Sequence, residues 1–174
     1  CNATTPTVYQ VTVNPLPVVT LSGANSICTG IPTVYSTDPG MSGYTWVVSA
    51  GGTINSGAGT DAINVTWNTP GANSVSINYT SPLGCRALNP STVNVTVNQS
   101  TPPIIQSSVN PVCESYTSVY TTQAGNSAYS WTLSPGGTIT AGGGPANNTV
   151  TIRWNVATPQ FVRVNFANTF GCVA

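Results

Sequence analysis

The chain has 174 residues, of which only 3 % are charged: Arg86, Arg153 and Arg163 against Asp38, Asp61 and Glu114, with zero formal net charge, no lysine and no histidine. Soluble domains carry about 25 % charged residues, so this surface has no electrostatic footprint for nucleic acid, anionic lipid or a charged substrate. Without His or Lys no Ser-His-Asp triad or Schiff base is available, three scattered carboxylates make neither a glycosidase pair nor a calcium cage, and singly placed cysteines make no zinc site.

Taken in chain order, residues 1–13 (CNATTPTVYQVTV) alternate Tyr9, Val11 and Val13 with polar neighbours and match 85–97 (CRALNPSTVNVTV) at a spacing of 84. They read as the terminal strand of a preceding repeat, so residues 1–15 form a first segment. A complete repeat is expected over 16–98. Its strands are predicted at 18–21, 33–37, 44–48, 53–55, 62–67, 74–80 and 86–97, where apolar residues recur with period two. Tyr44/Trp46/Val48, Ile63/Val65/Trp67 and Val75/Ile77/Tyr79 each share one face, with Thr, Ser and Asn between them. Gly51-Gly52, Pro70-Gly71, Pro82-Leu83-Gly84 and Asn89-Pro90 punctuate the strands as turns.

Residues 99–174 repeat the same text without its last strand. Trp46 and Cys28 recur 85 residues on as Trp131 and Cys113, while Trp67 and Cys85 recur 87 on as Trp154 and Cys172. YTWVVSAGGTI (44–54) answers to YSWTLSPGGTI (129–139), and PLGC (82–85) to TFGC (169–172). A fixed period with short indels means tandem units, each burying its own core. About seven short strands per unit and no helical pattern give an all-β chain of tandem immunoglobulin-like β-sandwich domains arranged end to end. No apolar run approaches the ~20 residues of a membrane helix, so no membrane contact is expected from this segment. The proline-bearing joints at Asn14-Pro15-Leu16-Pro17 and 98–103 favour stiff, extended connections.

Trp46, Trp67, Trp131 and Trp154 share strand faces with aliphatic residues, so core positions are expected for all four rather than a sugar-stacking platform. The sequons at Asn2, Asn64, Asn78, Asn94, Asn98 and Asn147 are no more than an Asn/Thr-rich chain throws up by chance. Five cysteines (Cys1, Cys28, Cys85, Cys113 and Cys172) in so neutral and Thr-rich a chain point to an oxidising compartment. Two pairings are open. Bridges within each repeat would be Cys28–Cys85 and Cys113–Cys172, leaving Cys1 for another unit. In a sandwich, however, the turns carrying Cys28 and Cys85 fall at opposite poles, roughly 17–20 Å apart, whereas a disulfide spans only about 4.4–6.8 Å between Cα atoms. The alternative is a staple between repeats, Cys28 to Cys172, with Cys85 bonding back to a preceding unit and Cys113 onward to a following one.

The string carried by Cys28-Thr29-Gly30, Tyr44-Thr45-Trp46, Gly51-Gly52-Thr53-Ile54, Trp67, Val75-Ser76-Ile77 and Gly84-Cys85 resembles the PKD-like and immunoglobulin-like repeats of very large Bacteroidota surface adhesins. These include gliding-type adhesins exported by the type IX secretion system. The second repeat departs from the pattern with Glu114-Ser115 where Thr29-Gly30 stands in the first, and with a longer turn at Gly142-Gly143-Gly144-Pro145. The resemblance implies secretion and an extracellular, cell-surface place. The expectation is therefore a non-catalytic stalk or shaft, with no metal or cofactor, whose partners are further repeats of the same chain. Two other readings remain open. One is a filament subunit in which strand 1–13 completes the second repeat of an identical neighbouring copy. The other is a glycan-binding module.

Overall fold

The computed structural model describes residues 5, 7–107 and 109–174. These form strands and turns, with no helix among the described residues. In chain order the strands are β1 (Ser26–Cys28), β2 (Pro32–Ser36), β3 (Ser42–Val48), β4 (Gly52–Ser56), β5 (Ala62–Trp67), β6 (Gly71–Thr80) and β7 (Ser91–Asn98). The second repeat supplies β8 (Gln106–Ser107), β9 (Thr117–Thr121), β10 (Ser127–Leu133), β11 (Gly137–Gly142), β12 (Thr149–Trp154) and β13 (Val162–Ala167). Two compact units result, the first made of Cys1–Asn25 with Ile31–Thr96, the second of Ser26–Gly30 with Val97–Ala174. This division differs from the repeat boundary in the sequence at one place. Ser26–Gly30 go with the second unit because Thr29 N–H donates to Asn98 O and Cys28 is covalently bonded there.

In the first repeat the sheets run β2-β5-β4 and β1-β7-β6-β3; in the second they run β11-β12-β9-β8 and β10-β13. The register repeats with the text. Trp46 lies opposite Ile77 across β3–β6, and Trp131 opposite Val164 across β10–β13. Both pairs carry a bulge at their start, between Ser42 and Thr45 and between Ser127 and Ser130. Period-two alternation has the expected cause, since one face of each strand is buried. Ile63, Val65 and Trp67 of β5 are buried, as are Val75, Ile77 and Tyr79 of β6. The second core joins Tyr120, Tyr129, Trp131, Val150, Ile152, Trp154 and Phe166. At ~25 cal/mol per Å² of apolar surface removed from water, each such aromatic or aliphatic side chain contributes about 1.5–3 kcal/mol.

The Gly-Gly pair of each repeat has a packing reason. Gly52 sits directly across from Trp67 and Gly137 across from Trp154. A Cβ on Gly52 would come within 2.7 Å of the Trp67 ring and of Val48, and one on Gly137 within 2.6 Å of Leu133 and 2.7 Å of the Trp154 ring. The indole thus occupies the space a Cβ would need. Gly52→Ala and Gly137→Ala should each destabilise their unit by about 1–3 kcal/mol through overpacking, measured as a shift in urea midpoint at constant m-value.

Some expected strands are absent. Residues 7–13 form no strand, and neither do 18–21, where Ser22 makes only a single bridge to Ser36. The expected strand 86–97 is a bridge from Arg86 to Thr80 followed by β7. Alternation marks a segment that fits a sheet, but a strand exists only where a second backbone supplies its hydrogen bonds.

Candidate functional site

Two glycine turns present cysteines in the same way. Gly84 and Gly171 both have φ of 80°, a left-handed conformation that favours glycine. In the first turn Gly84 N–H donates to Ser81 O, Ser81 N–H to Cys85 O, and Cys85 N–H to Ser81 Oγ. In the second, Gly171 N–H donates to Asn168 O, Asn168 N–H to Cys172 O, and Cys172 N–H to Asn168 Oδ1. The sulfurs also sit alike, Cys85 Sγ 3.9 Å from Asn14 O and Cys172 Sγ 3.7 Å from Asn98 O. Asn14 and Asn98 occupy the same place in the two copies of the text, 84 residues apart.

The structure brings Cys28 and Cys172 together as a disulfide with Cα atoms 5.5 Å apart, at a sequence separation of 144. Around it Asn98 Nδ2 donates to Ser26 Oγ and to Ile27 O, and Asn168 Nδ2 donates to Gln99 O. The bond therefore joins the first repeat's Cys28 to the second repeat's Cys172 beside the amides of Asn98 and Asn168. Cys85, half-buried, and Cys113, exposed, remain thiols. The bridges within a repeat, Cys28–Cys85 and Cys113–Cys172, are thus not formed. Cys1 lies outside the described residues. Asn14, Asn98 and Asn168 are the functional residues that motif reading passed over. For Asn14 and Asn98 the signal was recurrence at a spacing of 84; Asn168 stands where the first repeat has Ser81 and carried no such signal.

A groove of about 660 Å³ opens in the second unit, with Asn110, Val112, Cys113, Tyr120, Trp154 and Gln160 among its walls. The first repeat shows what belongs at the same place. Asn110–Cys113 correspond to Asn25–Cys28, which carry β1, and β1 lies beside β7 in its sheet. There Thr96 N–H donates to Asn25 O, and Val95 and Val97 are buried. The aromatic pair beneath is sealed in the first repeat, with Tyr35 and Trp67 both at 0 % exposure. Their counterparts at the groove, Tyr120 and Trp154, reach 9 % and 7 %. One departure in the sequence proves conformationally neutral: Ser115 holds φ of 70° where Gly30 holds 80°.

The four indoles are buried, so their faces are not open to a sugar. Each N–H is satisfied in a repeated pattern: Trp46 donates to Thr60 O, Trp131 to Asn147 O, Trp67 to Tyr35 OH and Trp154 to Tyr120 OH. Of the sequons, Asn2 lies outside the described residues and Asn98 is buried with its amide engaged. Among the described residues no three His, Cys, Asp or Glu side chains converge on a point that could hold a metal ion.

The Asp38 carboxylate is woven into the first core's rim. Asp38 Oδ2 accepts from Tyr79 OH at 2.5 Å, from Thr20 Oγ1 at 2.8 Å and from Thr20 N–H at 3.1 Å, while Tyr44 OH donates to Asp38 O. The Tyr79 hydroxyl and the Thr20 donors hold the Asp38 carboxyl below its ordinary range. Burial, then the Asp38 hydrogen bond and its charge, push Tyr79 up to about 12. Burial likewise raises Tyr35, partly offset by the Trp67 hydrogen bond. Asp38 releases its proton more readily folded than unfolded, so its contribution is present above the unfolded value of about 3.9 and lost as acid titrates it below that. The tyrosines hold their protons more tightly folded, so their contribution is complete below pH ~10 and is lost as the pH climbs towards 12. Urea midpoints measured from pH 2 to 12 should therefore be flat between about 5 and 9 and fall at both ends. Asp38→Asn should remove the acid limb.

No curated protein matches the chain. Among solved structures the chain is similar to the D00-D0 domain of intimin, at 14 % identity and a TM-score of 0.43, covering 87 % of this chain and 94 % of that one. It is similar to fibronectin(III)-like modules of CbhA from Clostridium thermocellum, at 13 % identity and a TM-score of 0.41, covering 90 % and 89 %. Murine CEACAM1b gives 15 % identity and a TM-score of 0.35, with 87 % and 93 % covered. The PKD-like domain family matches residues 14–95 and again residues 98–174, one copy per repeat, and the chain belongs to that family.

Proposed function

We propose that this segment is a force-transmitting spacer of a secreted, extracellular structure, holding other parts of its protein at a distance. The observation that carries the reading is the Cys28–Cys172 disulfide. A bond between a cysteine of each repeat makes mechanical sense in a shaft, and disulfides persist in oxidising surroundings. No helix among the described residues is long and apolar enough to cross a membrane. A surface built from neutral Thr, Ser and Asn, at 3 % charged residues, suits a structure that must work across changing salt and pH. The finer reading, a repeat region of a large Bacteroidota surface adhesin, rests on the motif string from Cys28 to Cys85. Antibodies raised against residues 16–174 should decorate intact cells of the source organism. Labelling only after permeabilisation would remove the extracellular assignment. The mechanical side is tested by forced extension.

A further inference from the structure

We infer that the cysteine turn of the first repeat, with Asn14 beside it, is a receptor for an extended cysteine-bearing segment of another PKD-like repeat, joined to it by a disulfide at Cys85. The inference deepens the spacer reading, on which it rests for its use, by naming the class of partner to which the spacer is bonded.

The second repeat shows such a receptor with its occupant, Ser26–Thr29, in place. Cys28 is bonded to Cys172. Asn98 O accepts from Thr29 N–H at 2.9 Å and from Thr29 Oγ1 at 3.0 Å. Asn98 Nδ2 donates to Ser26 Oγ at 3.0 Å and to Ile27 O at 3.4 Å. One asparagine thus holds the backbone on both sides of the cysteine, and the glycine turn supplies the sulfur. Recognition through main-chain groups asks little of the occupant beyond an extended chain and a cysteine in register.

The first repeat builds the same receptor from the same parts. Gly84 and Gly171 share a φ of 80°. The three hydrogen bonds of the turn recur, with Ser81 in the place of Asn168. Cys85 Sγ lies 3.9 Å from Asn14 O, against 3.7 Å between Cys172 Sγ and Asn98 O. Asn14 O therefore stands where the carbonyl that receives Thr29 stands in the second repeat. Asn14 Nδ2 donates to Leu83 O at 3.3 Å, an exposed contact. A long bond in water is exchanged for an incoming backbone carbonyl at little cost. Cys85 itself is a half-buried thiol.

The bond forms by thiol–disulfide exchange. The incoming cysteine is first capped by a small disulfide such as oxidised glutathione, which is the oxidant: its S–S bond breaks and one glutathione thiolate leaves. The Cys85 thiolate then attacks the capped cysteine's sulfur, the second glutathione thiolate departs, and both leaving groups take protons from water. Cys113 offers an internal control. It is the exposed thiol, and it stands in the text where Cys28 does, so it belongs with occupants and not with receptors.

The test uses the 174-residue chain with Cys1→Ser and a synthetic peptide of residues 24–30 whose Cys28 is capped by glutathione. Non-reducing peptide maps should find the peptide on Cys85 in preference to Cys113 by about tenfold, the selectivity that one or two docked hydrogen bonds confer. Oxidised glutathione by itself should show the reverse order, because Cys113 is the exposed thiol. A peptide with proline at the Thr29 position has no N–H to give Asn14 O and should lose the preference, as should a scrambled peptide. These changes lie in the peptide, so the fold of the protein is untouched. Asn14→Ala should act in the same direction. Equal labelling of the two thiols, or labelling of Cys85 by the native and proline peptides alike, overturns the inference. Protein taken from the source cells without reduction should yield Cys85 joined to a cysteine at the Cys28 position of a PKD-like repeat, and its recovery as a free thiol overturns the inference as well. Forced extension probes only Cys28–Cys172, so failure here is separable from failure of the spacer reading.

Discussion

Pulled from handles at its two ends, the oxidised chain should release only a short length, whereas the reduced chain should release about 500 Å more. The reason is topological. Force entering before Cys28 and leaving after Cys172 passes through the disulfide, so the segment between them, a sequence separation of 144, carries no tension. At roughly 3.3–3.6 Å per extended residue, the protected segment accounts for that difference. Strands β2 to β13 all lie inside it. Single-molecule extension with and without reductant reads the length directly, and Cys172→Ser should behave as the reduced chain does. Equal lengths in the two states would mean that the bond is not on the force path and would take the mechanical role with it. The same bond acts at equilibrium. Closing a loop of this size lowers the entropy of the unfolded chain, which the loop-closure account sets at about 5 kcal/mol as an upper bound. Reduction should accordingly lower the urea midpoint of the oxidised chain.

The second large effect is expected at the paired indoles, and the two repeats should differ. Trp67 is sealed, stacked edge-on against Tyr35 with centroids 6.2 Å apart and donating to its hydroxyl. Trp67→Ala should cost about 3–5 kcal/mol, because a closed cavity replaces the ring and Tyr35 loses its partner. Trp154 makes the same edge contact with Tyr120 at 6.3 Å and the same hydrogen bond, but it borders the open groove. Water enters the space left by Trp154→Ala, so the cavity part of the penalty shrinks and the loss should fall nearer ~2 kcal/mol. Separate urea transitions for the two units measure both. Equal losses would show that the groove is closed in solution.

Much of the fold was legible because each repeat writes it twice. Alternation at 44–48 and 62–67 marked β3 and β5, since a half-buried pleated strand leaves that trace whatever its neighbours. The indoles were legible as core for the same reason. Gly51-Gly52 could be read only as a turn; that Trp67 lies across Gly52 is a matter of register between two strands. The three-residue β1 was invisible, being too short to show a period and existing only because β7 runs beside it. Residues 7–13 err in the other direction. Their pattern equals that of β7, yet among the described residues no second backbone pairs with them.

The sequence by itself determined composition, repeat length, strand periodicity, the core tryptophans and the absence of the usual catalytic side chains, since each depends on local order or on residue inventory. Which cysteines meet and which glycine lies under which indole were decided only by the tertiary structure. These are relations between segments up to 144 residues apart, set by how sheets close over a shared interior, and no local pattern encodes the distance between two such points.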